Sequence, residues 1–172
     1  MKKLLLFSAF VMLAFSSCSK KKDNSPSTGT NTITASVAGT DTKFNTAVYG
    51  LIQSGNGLYD LIVAGITGSS AQGGISITIG SPNPITKGTY TYNSSTSPDA
   101  TSFPDLIYNA NASSSEVFTT DISGTNATTI TITSISSTNV QGTFSGVLLS
   151  SKDGTTTKSV TDGKFNVNIT TK

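Results

Sequence analysis

The chain has 172 residues, a formal net charge of +2, one Cys, no His and no Trp, and all of its basic residues are lysines, so Arg is absent too. Without His there is no Ser-His or Cys-His pair and no imidazole ligand for zinc, and without Arg there is no guanidinium fork for phosphate or carboxylate. The positive charge sits near the amino end: from Asn31 onward six Lys face eight acids, which speaks against nucleic acid as a partner.

Met1, Lys2 and Lys3 make a short positive start, and residues 4–15 are apolar apart from Ser8. Such a helix would rise about 18 Å, too short for a hydrocarbon core of about 30 Å. Residues 1–17 therefore read as an export signal. Small Ser16 and Ser17 precede Cys18, the only cysteine. An apolar run, small residues and then Cys resembles the lipobox of bacterial lipoproteins. Phe15, three before the Cys, fits the looser pattern of Bacteroidetes lipoproteins. The resemblance implies cleavage before Cys18, a diacylglycerol on its thiol, and an acyl chain such as palmitate on the new amine. Each buried methylene contributes about 0.8 kcal/mol and one chain holds only marginally, whereas two or three hold firmly. The alternative is a secreted protein with a stray thiol, a liability in an oxidising compartment.

Ser19 follows the lipidation site, and Ser in that place would permit passage to the outer membrane. Which leaflet is reached, and which way the protein faces, stay open. Residues 18–31 contain Lys, Ser, Asn, Thr, Gly and one Pro, with no apolar side chain beyond the lipidated Cys18. They read as a disordered tether. Residues 19–31 would reach about 45 Å fully stretched and about 20 Å on average as a flexible coil. Lys20, Lys21 and Lys22 are either a solvated charge run or a contact with anionic head groups.

Residues 32–172 form a single domain in this reading, and their pattern has period two. Ile33, Ala35 and Val37 alternate with Thr and Ser; LYDLIVAGI (58–66) is apolar on both faces and reads as a central strand. Ile75, Ile77 and Ile79 repeat the alternation, as do Ile130 and Ile132, then Val140, Gly142, Phe144, Gly146 and Leu148. Half-polar strands of this kind belong to antiparallel sheets with one wet face. Turns are expected at Gly39 with Thr40, and at 54–57, 68–74, 81–84, 124–126, 137–139 and Asp153 with Gly154, the last as a type I′ hairpin. Inward parity flips between Val160 and the odd positions Phe165, Val167 and Ile169. This predicts a bulge at Asp162 and Gly163 inside one long final strand, with Gly163 left-handed. The fold expected is an all-β antiparallel sandwich of about ten strands, with a lipocalin-like closed barrel as the alternative.

The segments ITASVAGTDTKF (33–44), GGISITI (73–79), KGTY (87–90), ITITSIS (130–136), VQGTFSGVL (140–148) and VTDGKFNV (160–167) resemble, in this order, a group of Bacteroidetes lipoproteins built on a domain of unknown function. The resemblance implies an outer-membrane, all-β module and supplies no catalytic residue.

No GxGxxG, Walker A, EF-hand loop or GxSxG pattern is present. Asp99, Asp105, Glu116 and Asp121 could converge as the paired carboxylates of a glycosidase, or be loop and strand-end acids. Ser19 and Lys22 match S-x-x-K only by chance. Asp121, Asp153 and Asp162 each lie shortly before a Gly and could bind calcium, although turn chemistry explains them as well. For ligand contact the candidates are Tyr90, Tyr92 and Tyr108, whose rings offer an apolar face and a hydroxyl suited to sugar stacking. The expectation is a non-enzymatic binding or interaction module, with no cofactor and no metal, held to the membrane through Cys18 and meeting a glycan or an envelope protein. A carrier of a small apolar ligand and a carboxylate glycosidase are the alternatives. Oligomeric state is not legible.

Overall fold

The computed structural model describes residues 31–68, 72–92, 101–122 and 127–172. The expected export signal, Cys18, Asp99 and all of the expected tether but Asn31 lie outside these residues. Eleven strands follow in order: β1 (Thr32–Val37), β2 (Thr40–Lys43), β3 (Thr46–Gly55), β4 (Leu58–Ile66), β5 (Gly74–Ser81), β6 (Gly88–Tyr92), β7 (Phe103–Asn109), β8 (Phe118–Thr120), β9 (Thr128–Ile135), β10 (Asn139–Ser150) and β11 (Thr157–Thr171). The all-β class is as read from the alternation.

The pairings group into two walls. The first runs β2-β1-β11-β10-β9-β6 and the second β3-β4-β5-β7-β8. They join at both corners through short ladders. Leu148, Leu149 and Ser150 of β10 pair with Thr120, Thr119 and Phe118 of β8. Ile169, Thr170 and Thr171 of β11 pair with Gly50, Leu51 and Ile52 of β3. The hydrogen-bonded circuit therefore closes, joining sandwich-like walls into a barrel-like ring. The β11–β3 ladder is parallel, so the sheet is mixed where an antiparallel one was expected. The alternation could not reveal this, because it fixes which face a residue takes and not the direction of its neighbour.

The alternating apolar residues point between the walls. Ile33, Leu61, Val63, Ile79, Leu106, Ile130, Val140, Leu148, Val160 and Val167 are fully buried within one continuous cluster. Outward positions on the same strands carry Thr, Ser, Asn and Lys on the first wall. Two tight hairpins set the register: Ala38 and Gly39 (φ 49° and 80°), and Asn56 and Gly57 (φ 52° and 80°). Both central residues are left-handed, as a type I′ turn requires. The first lies one residue earlier than the sequence placed it.

Two expectations about the carboxyl-terminal strands need correction. Asp153 and Gly154 do not form a two-residue type I′ turn, for only Gly154 is left-handed (φ 65°). Residues 151–156 make a wider loop, in which the Asp153 carboxylate accepts from the amides of Thr155 (2.9 Å) and Thr156 (2.8 Å) and from the Thr156 hydroxyl (2.6 Å). The side chain does locally what a tighter backbone turn would have done. The bulge in β11 is present, with register shifts against both β1 and β10. Its left-handed residue is Asp162 (φ 53°), not Gly163.

Gly163 is required for space instead. A Cβ there would lie 2.6 Å from the Phe144 ring and press on the Phe144 carbonyl. Gly142 mirrors it, with the Phe165 ring 2.5 Å from where a Cβ would stand. Gly142 pairs with Phe165 and Phe144 with Gly163 across β10 and β11. Two Gly-x-Phe triplets thus interlock, each ring lying over the other strand's glycine.

Candidate functional site

The outer faces of the two walls differ in chemistry. Across the first wall one row reads Thr89, Thr131, Thr143, Lys164, Thr34, Lys43. Hydroxyls pair along it, Thr89 with Thr131 at 3.1 Å, and Thr91 with Thr129 at 3.4 Å in the row beside. Asn139 donates to Asn166 at 2.9 Å, and Gln141 to Asn139 at 3.2 Å. This is an ordinary wet sheet face.

Across the second wall one row reads Tyr49, Ala64, Ser76, Ile107, Thr119. The row on one side reads Thr46, Ile66, Gly74, Asn109 and that on the other Leu51, Ile62, Thr78, Asp105. Both faces of β3 and β4 are therefore apolar, while only the inner one is covered by the core. Tyr49 is 53% and Ile107 36% exposed.

Small residues in the middle strands make this face a trough. Ala64, Gly74 and Ser76 form the floor, Tyr49 and Ile66 one bank, and Ile107 the other, around a volume of about 430 Å³. A bulge in β3 opens it further. Between the pairs Thr46–Ile66 and Tyr49–Ala64 the register shifts, with Ala47 left-handed at φ 48°. The three lateral rows that border the trough carry no lysine. The acids keep to one end: Asp105 stands opposite Thr78, and Asp60 accepts from Gln53 at 3.3 Å near the Asn56–Gly57 hairpin.

The tyrosines named from sequence take other places. Tyr90 and Tyr92 share a face of β6, as their spacing implied. The Tyr90 hydroxyl donates to the Thr86 carbonyl and accepts from the Thr86 amide, both at 2.9 Å, which ties it to its own loop. The Tyr92 ring lies 5.5 Å from that of Phe103. Tyr108 packs between Phe44 and Phe118, with ring centroids 6.3 and 6.4 Å away, and burial raises its hydroxyl pKa. The structure does not gather the three into one surface with Tyr49.

The described carboxylates have local partners or separate settings. Glu116 accepts from the Ser150 hydroxyl at 2.8 Å. Asp121 is buried at the end of β8, Asp105 faces outward on β7, and Asp153 holds its own loop. Among the described residues no cluster of three or more His, Cys, Asp or Glu is placed to hold a metal. The interior is packed with side chains from both walls, with Gly65 facing Ile33 and Gly146 facing Leu106.

Tyr49 and Ile107 are not among the candidates named from sequence. The available signal was AVYGLI (47–52) running into LYDLIVAGI through an Asn-Gly turn: two consecutive strands, both apolar on both faces. No protein-family model, no curated protein and no solved structure matches the chain.

Proposed function

We propose that this protein is a lipid-anchored envelope lipoprotein of the Bacteroidetes type, acting as a non-enzymatic interaction module through the outer face of its second wall. The observation that carries the reading is the asymmetry between the walls. A sandwich that is free in water needs one wet face on each sheet, and here one outer face is an apolar trough flanked by Tyr49, Ile66 and Ile107. The order of positive start, apolar run and Cys18 supplies the anchor.

Two measurements test the two halves. Cys18→Ala should leave the domain folded and release it from the membrane fraction; retention after a carbonate wash would refute lipid anchoring. Hydroxyl-radical footprinting in intact envelopes should protect Tyr49 and Ile107 relative to released protein, while Lys43 and Lys164, exposed on the first wall, label equally in both. Equal labelling of Tyr49 in the two states would refute the contact surface.

A further inference from the structure

We infer that the occupant of the apolar trough is the bilayer surface itself, so that the domain lies with its second wall on the membrane to which Cys18 tethers it. This rests on the lipoprotein reading and names the partner of its contact surface.

The first support is where the described chain begins. β1 and β3 share one edge of β11. β1 takes it from Val160 to Asn166, and β3 takes it from Ile169 to Thr171. Asn31 fills the gap, its side-chain oxygen accepting from the Asn168 amide at 2.8 Å. The next residue of β11, Ile169, is already paired with Gly50, the neighbour of Tyr49. The domain is thus joined to its tether at the rim of the trough.

The second support is length. Residues 19–31 span at most about 45 Å, so a lipidated Cys18 holds this corner within that reach of the bilayer. The tether enters at the corner where β11 of the first wall meets β3 of the second, so the second wall is one of the two faces it can bring down.

The third support is charge. The rows through Tyr49 and Ile66 have no ionisable group but the tyrosine itself, and Asp60 and Asp105 lie toward the hairpin end. Carboxylates are costly against an anionic, low-dielectric surface. The contact is therefore deepest at Tyr49 and Ile66 and lifts toward Asp60. Tyrosine at the rim suits the head-group level, where its ring is shielded and its hydroxyl stays wet.

The chain has no tryptophan, so a single introduced one is a clean reporter. The full mature protein, lipidated and carrying Tyr49→Trp, Ile107→Trp or Thr143→Trp, is reconstituted into phosphatidylethanolamine and phosphatidylglycerol vesicles, with and without brominated acyl chains. Thr143 is exposed on the opposite wall. Circular dichroism checks that each variant is folded. The expected result is blue-shifted emission, quenched by the brominated chains, at positions 49 and 107, with solvent-like, unquenched emission at position 143. If all three float with vesicles and all three give solvent-like emission, the inference is overturned and the anchor stands. If the footprint protects Tyr49 in envelopes while vesicles do not quench it, a protein or glycan occupies the trough instead. If none floats, the anchor fails and the inference fails with it.

Discussion

Gly142 and Gly163 show how a residue can be demanded by a neighbour instead of by its own backbone. Neither has positive φ, yet each lies under a phenylalanine ring from the other strand. Gly163→Ala should lower stability by about 1–3 kcal/mol, the usual cost of overpacking. The urea midpoint would show it, and Phe144→Leu in the same chain should recover part of the loss by removing the ring in the way. Asp153 makes a different prediction. Its three accepted hydrogen bonds hold its carboxyl below the usual carboxylate range, led by the Thr156 hydroxyl. A folded-state pKa below the unfolded one contributes stability that is complete above the ordinary carboxylate pKa of about 4, and that is lost as pH falls through the folded value. Asp153→Asn keeps an amide oxygen as acceptor but cannot titrate. Its Tm should therefore fall less than that of the parent between about pH 5 and pH 2. Equal slopes in the two proteins would contradict the capping role.

At the scale of elements, strand identity was legible wherever one side of a strand was wet. Ile33, Ala35, Val37 and Ile75, Ile77, Ile79 alternate with hydroxyl residues, and each triplet is buried as expected. The β11 bulge was legible too, because Val160 and Phe165 cannot share a face without an inserted residue. What the pattern could not supply was the conformation inside the bulge. Asp tolerates the left-handed region through its short polar side chain, so Asp-Gly leaves two choices open. β2 (TDTK) was not legible either, since none of its residues is buried and nothing in it alternates. The trough was missed for a related reason. A strand apolar on both faces reads as central, and β4 is indeed paired on both sides, but pairing at the edges says nothing about cover on the faces.

At the scale of the molecule, the closure between the carboxyl-terminal strand and β3 joins residues far apart in sequence. Removing residues 169–172 should open the ring at one corner. It deletes the Ile169 side chain from the core, the parallel ladder, and the bond from the Lys172 amide to the Ile52 carbonyl at 2.9 Å. The expected loss is about 3 kcal/mol or more, from burial of one isoleucine and several backbone hydrogen bonds. Denaturant melts of the full and shortened chains would measure it, and coincident midpoints would mean that the corner is ornamental. The same closure has a consequence for a sequence so rich in Thr, Ile and Val. Such chains are prone to stack into fibrils through open strand borders. Among the described residues the strand order terminates at β2 and β6. β2 offers four residues, with Asp41 and Lys43 among them, and β6 offers five. Brief, charged or abbreviated borders are poor templates for another chain, so copies of this domain can stand close together without extending one another's sheets.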